Sequence, residues 1–445
     1  MGTFPKVLHV LLFWVLGGVF LGAQPAQPQI PDHTVNIRDF GAVADGQTLN
    51  TQAFEKAISA LNKKGGGHLV VPEGLYLTGP VVLKDCMDLH LERGAMILFS
   101  ADKALYLKDG SVRPGISASK RHDVSISGEG IIDGNGAWWR PVKRGKVSDT
   151  EWKEFLKKGG EVTEDGSLWY PYNLKNYSDI AADARTQERM RTHLVRFTDC
   201  QRISVTGVTI QNAPKFHLVP SNCEDVTIEG VTVRCPWNAQ NGDGIDIMQS
   251  RRVVVRRCTV DVGDDGICLK GGAGKAALKN GPCKDILVEY NTVYHAHGGF
   301  VIGSEFSGGM EDINVRHNIF SGTDTGLRFK SAPERGGTTR NIRISDIVMN
   351  DIRDQAIVFE TTYADRPAGD EDNQAATTQA FLPNFQDIVM ERITCWGAAT
   401  GIRAKGTLGM IHDITVRDAV LYVDQATEID VPQMVSLENV RFIEY

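Results

Sequence analysis

The 445 residues carry 55 acidic and 48 basic side chains, a net charge of −7, and 42% of them are hydrophobic. A mildly acidic chain has no positive surplus with which to hold nucleic acid, so that class of partner is excluded. At its start the chain holds one lysine, Lys6, then an apolar run from Val7 to Phe20, closing on Leu21-Gly22-Ala23. The run is short for a membrane span and is followed by a Pro/Gln stretch, so 1–23 reads as a secretory signal peptide and 24–35 as a linker. A retained N-terminal anchor is the alternative. No second long apolar run occurs, so the mature chain is expected to be exported, to the periplasm or the medium, without a membrane span.

Asn36 to Ser100 reads as an entry module. Phe54, Ala57, Ile58 and Leu61 have helical spacing, with Asn50 or Thr51 as a cap and Gly65-Gly66-Gly67 as the stop. Short strands follow at His68-Leu-Val-Val and Leu75-Tyr-Leu. A helix here covers the open end of a solenoid, whose bare end exposes core and strand edges.

Beyond it a repeat emerges. A polar residue precedes alternating apolar ones at Asp123, Arg202, Asp225, Arg252, Asp285, Asp312, Asn341, Asp387 and Asp413. Ile203 to Val226 is 23 residues, and Val226 to Val253 is 27. A second strand follows, as in Gly207-Val-Thr-Ile. A third carries Gly-X-apolar: Gly244-Ile-Asp-Ile, Gly266-Ile-Cys-Leu, Gly299-Phe-Val-Ile and Gly326-Leu-Arg-Phe. Three short strands per coil at this period predict an all-β fold, a parallel β-helix, right-handed by the crossover rule. It forms a single domain over 36–445.

Two excursions interrupt the repeat, 137–191 and 366–383, and are expected to overhang one face. The first holds Trp138, Trp139, Trp152, Trp169, Tyr170 and Tyr172, which suit either sugar stacking or a small satellite core. The eight cysteines show no CxxC or Cys/His metal spacing, so no metal or cofactor is expected. Aligned on the first strand, Cys200, Cys223, Ser250 and Cys283 stack at one inner corner. They predict a ladder of buried small side chains, with disulfides as the alternative.

The chemistry concentrates between Asn241 and Lys270. Asp243 with Asp246, then Asp264 with Asp265, form two acidic clusters between glycines, about one coil apart. Stacked coils bring such clusters side by side. Neighbouring carboxyls are what acid–base glycoside hydrolysis requires, and their repulsion raises at least one pKa. Asp-Gly is also an ordinary turn, which is the bland reading. Arg328 and Lys330, two apart, share one face of a strand and suit a uronate carboxylate.

Four short motifs occur in order: Asn241-Gly242-Asp243, Gly263-Asp264-Asp265, Ala296-His297-Gly298 and Arg328-Phe329-Lys330. On these the chain resembles the polygalacturonases of glycoside hydrolase family 28, from about Asn36 to the C-terminus. Gly242, Ala296 and Phe329 depart from the family's Thr, Gly and Ile, and no titratable group is lost. The resemblance implies inverting hydrolysis of α-1,4-linked galacturonate in a pectic polysaccharide or oligogalacturonide. It makes Asp264 the general acid and Asp243 and Asp265 the residues that hold and activate water, and it sets His297 near the acid, either to tune its proton or to bind the sugar. Arg328, Lys330, Asn241 and Tyr363 become substrate-binding residues. Long excursions suggest a partly closed cleft and action from a chain end. Hydrolysis of rhamnogalacturonan or xylogalacturonan is the runner-up, ahead of a calcium-dependent pectate lyase using Arg256 or Arg257, or a β-helix that only binds. The oligomeric state is not legible.

Overall fold

The computed structural model describes residues 24–174, 184–363 and 381–444. The expected signal peptide, and most of the excursion expected over 366–383, lie outside the described residues. Among these, 29 strands are linked by pairing into one sheet system, and the pairing between coils is parallel throughout. This is the parallel β-helix that the repeat predicts. The helix Thr51–Lys63 buries Phe54, Ala57, Ile58 and Leu61 over the first coils. Asn50 precedes it, but its side chain serves the loop instead, accepting from Val43 N at 2.7 Å and donating to Val43 O and Leu77 O.

Two features differ from the sequence reading. Seven of the nine polar residues that head the repeats lie inside strands rather than ahead of them, while Asp387 and Asp413 stand just before strands Ile388–Lys405 and Ile414–Ile429. All nine have φ between 51° and 59°, and pairing skips over them, so that Gln201 faces Glu224 and Ile203 faces Val226. The left-handed conformation suits Asp and Asn, whose short polar side chains bond locally. Stacked in successive coils, the first five of these residues, Asp123 to Asp285, alternate in charge. Arg202 Nε donates to Asp123 Oδ1 at 2.7 Å, and Arg252 Nε to Asp225 Oδ1 at 2.8 Å. Cys86, φ 56°, holds the same place in an earlier coil, where no polar pattern marks it. Residues 24–35 are also no free tether. Ala26 N donates to Asp225 Oδ1, Gln29 N to Asp123 Oδ1, and Gln27 Nε2 to Thr227 Oγ1, so this segment lies along the outside of the coils. Thr34–Asn36 then pairs with His68–Val70.

The core fills the solenoid with stacked aliphatic and aromatic side chains. Gly244, Gly266, Gly299 and Gly326 stack at one inner corner. A Cβ on three of them would meet Val293 Cγ1 at 2.6 Å, Phe320 Cγ at 2.3 Å or Met349 Sδ at 2.4 Å. These glycines therefore exist to admit the second strand's side chains. All eight cysteines are free, and Ser250 Oγ accepts from Cys223 N within the predicted ladder. In the last coils the three strands merge, as in Thr339–Glu360, with left-handed Asn341, Asp346 and Asp351 taking the bends.

The first excursion is described over 137–174 and 184–191. Strands Val142–Lys143, Gly159–Val162 and Leu168–Leu174 form an antiparallel sheet, and the helix Asp149–Lys158 is capped by Ser148 and Glu151 in a capping box. Its aromatics are packing residues. Trp169 forms a satellite core with Trp152 and Phe155, while Trp139, Tyr170 and Tyr172 join the main core.

Candidate active site

The third strands Leu218–Ser221, Ile245–Met248, Ile267–Lys270, Gly298–Gly303 and Thr325–Lys330 lie side by side in parallel. Ile245, Ile267, Phe300 and Leu327 align across them and point inward, so the alternate residues form the floor of a cleft. The turns entering these strands carry the acids. Because Ile245 faces Ile267, Asp243 and Asp265 fall in adjacent coils, and Gly244 N donates to Asp265 O at 2.9 Å. His297 N likewise donates to Asp264 O at 2.9 Å. Asn241, Asp243, Asp264, Asp265, His297, Lys330 and Tyr363 all line one cleft. Arg328 lines the adjoining groove, which shares His297. The expected site residues are thus brought together.

Their charges are tightly compensated. Lys330 Nζ lies 2.7 Å from Asp265 Oδ2, and Arg328 Nη1 lies 3.8 Å from its other oxygen. The Tyr363 ring lies under both cations, at 5.0 Å and 5.6 Å. Arg328 and Lys330 do share a face, but their first partner is Asp265. His297 Nδ1 is 3.0 Å from Asp264 Oδ1. Asn241 Oδ1 accepts from Arg191 Nη2 at 2.7 Å.

Crowding raises the expected carboxyl pKa values, though not at the residue assigned the acid's role. Burial, with Asp246 and Asp264 nearby, pushes Asp243 well above the usual carboxylate range. Burial lifts Asp246 to about 7 against the pull of Lys270. Burial also acts on Asp264, but His297 outweighs it, with help from Lys330 and Lys146, and holds this carboxyl below its usual range. Asp265 is lowered too, because Lys330 overcomes its burial.

Several residues escaped the sequence reading. Lys270 Nζ sits 3.4 to 3.6 Å from Asp243, Asp246 and Glu305 together. It stands at the strand position of Lys330, two coils earlier, with Gly303 between them, and aligning the third strands would have found it. Glu305, Arg191 and Lys146 come from turns and the excursion, where no repeat marks them. Three donor atoms of Asp264, Asp265 and His297, and three of Cys86, His122 and Asp123, lie within 4.8 Å of one another. Asp123 already accepts from Arg202, Gln29 and His122. Arg256 and Arg257, the lyase candidates, both bind Glu229, and neither lines the cleft.

A family model described as glycosyl hydrolases family 28 matches residues 143–422. The chain belongs to this family. A second model, rhamnogalacturonase A/epimerase, pectate lyase-like, matches residues 34–89. An exo-poly-alpha-D-galacturonosidase from Dickeya chrysanthemi is 31% identical over 384 residues, covering 81% of this chain. The chain spans 62% of the length of that relative. An endo-polygalacturonase from Pectobacterium carotovorum is 24% identical, covering 83% of this chain and 82% of its own. Among solved structures, a hyperthermoactive exopolygalacturonase from Thermotoga maritima aligns with a TM-score of 0.76 at 28% identity, covering 94% of each chain. The structure explains two of the motif departures. A Cβ at Gly242 would meet Ala239 Cβ and Cys235 Sγ at 2.9 Å, and Phe329 faces the core, stacked on Phe359 at 4.4 Å.

Proposed function

We propose that the protein is an exported hydrolase of pectic polysaccharide that cleaves α-1,4-galacturonosyl linkages with inversion and works from a chain end. The observation that carries this reading is the meeting of Asp243, Asp264 and Asp265 in one cleft, with His297 on Asp264 and Lys330 on Asp265. Inversion needs one group to protonate the leaving oxygen and another to activate water on the opposite face of the sugar. Asp264 and His297 act together as the acid, sharing one proton across 3.0 Å. Asp265, kept ionised by Lys330, takes the proton of the water, and Asp243 orients that water. Arg328 and Lys330 receive the uronate on the leaving-group side. The names of the Dickeya and Thermotoga relatives support the substrate and the exo mode. The excursion, which contributes Lys143, Leu168 and Tyr170 to the cleft wall, supports closure of one end. Export rests on the apolar run at the start of the chain.

The raised carboxyl of Asp243 favours a second reading in which Asp243 donates the proton. Products from polygalacturonate, resolved by size, test the function, and a nitrophenyl galacturonide separates the two assignments. Saturated monomer from the first time point is the expected product. Asp264→Asn should lose roughly 10²–10⁴-fold on the polymer and recover much of it on the nitrophenyl substrate, which needs no acid. Recovery by Asp243→Asn instead would exchange the roles. A ladder of oligomers would overturn the exo mode, and products from rhamnogalacturonan alone would change the substrate.

A further inference from the structure

The excursion is fastened to the catalytic turns at both ends. Early in it, Arg140 Nη1 donates to Ala213 O at 2.6 Å, and Lys146 Nζ to Gly263 O at 2.7 Å, one residue before Asp264. At its end, Arg191 donates to Gln240 O at 2.6 Å and to Asn241 Oδ1 at 2.7 Å. Between these anchors Val142–Lys143 pairs with Leu168–Trp169 and sets Lys143, half-buried, on the cleft wall. The excursion leaves and rejoins the solenoid in coils before Asp243, whereas Arg328, Lys330 and Tyr363 come from coils after His297. The two sets of side chains therefore approach the acids from opposite ends.

Lys143 differs from the other cations of the cleft. Lys330 holds Asp265, Lys270 holds three carboxylates, and Arg191 holds Glu188. The Lys143 ammonium has no hydrogen-bond or ion-pair partner among the described residues. Lys146, its neighbour in the excursion, spends its ammonium on a backbone carbonyl. A half-buried cation in a cleft without its own anion is placed to meet one carried by a ligand. A galacturonan presents a carboxylate on every sugar.

We infer that Lys143 recognises the carboxylate of the galacturonate on the side of the scissile bond opposite to Arg328 and Lys330, the non-reducing side. The cleft then reads a charged sugar on both sides of the bond it cuts. This rests on the galacturonan reading above. It also gives the excursion a chemical role besides closing the cleft: esterification of the terminal sugar removes the anion that Lys143 requires.

Trigalacturonate, free or methyl-esterified on its non-reducing sugar, tests this with the full chain. In the wild type the ester should cost about tenfold in kcat/KM, the scale of one charge-assisted contact of 1.4 kcal/mol. Lys143→Met should lose about tenfold on the free trimer, mainly through KM, and become indifferent to the ester. Lys143→Arg should restore the discrimination. Lys143→Gln provides a second uncharged variant, with thermal unfolding as the check that each one folds. A Lys143→Met enzyme as sensitive to the ester as the wild type would overturn the subsite and leave the function standing. A wild type that cleaves neither trimer would overturn the galacturonan reading, and this subsite with it.

Discussion

Asp246 shows how one buried side chain ties the site to pH. It has no exposed surface, and among the described residues neither of its oxygens has a hydrogen-bond partner and Lys270, at 3.4 Å, is its one ion-pair contact. Burial lifts its pKa from an ordinary 3.8 to about 7. The folded chain therefore keeps a proton that the unfolded chain releases, and this group's share of stability falls as pH rises from about 4 to 7. Asp243 acts with the same sign. His193 and His217, whose burial lowers their pKa values, act with the opposite sign over much of the same range. Comparison with Asp246→Asn isolates the one group, since the histidines are common to both proteins. The melting temperature of the variant should gain on that of the wild type between pH 4.5 and 7.5, and parallel curves would show that Asp246 is ionised throughout. The sequence marked Asp246 as part of an acidic cluster. It could not show that the next coil sets Lys270 beside it.

At the scale of the element, the coil is set by what its corners accept. Inner corners take glycine, thiol or small polar side chains because the next strand packs directly against them, as Gly299 does against Phe320. The outer column that heads the repeats takes Asp, Asn or a paired Arg at nine positions, because the chain must turn left-handed there without losing its ladder. The thiol ladder gives a direct prediction. Six of the eight cysteines are buried and all are free, so reductant should leave the melting temperature unchanged. A thiol reagent should modify the six only on unfolding. Two fewer thiols in the denatured protein would reveal a disulfide. The ladder was legible because Cys200, Cys223 and Cys283 align on the repeat. The tenth left-handed position, Cys86, was not, since its residue type breaks the polar pattern that located the others.

The whole molecule is a stack whose first coils must be covered. Helix Thr51–Lys63 does this with Phe54, which is 1% exposed. Phe54→Ala should cost about 3–5 kcal/mol, read as a loss of denaturation midpoint together with faster aggregation through the uncovered coil edge. A cost near zero would mean that the stack closes without its helix. By itself the sequence determined the β-helix, the capping helix and the placing of two acidic turns about one coil apart. Those features repeat: a period of 23 or 27 residues stacks like upon like, so place in the coil gives place in space. Only the tertiary structure decided which carboxyl keeps a proton, which cations are already paired, and that the excursion brings Lys143 and Lys146 to the acids. Those depend on burial and on contacts between segments far apart in the chain. Neither is encoded in a residue's place in its own coil.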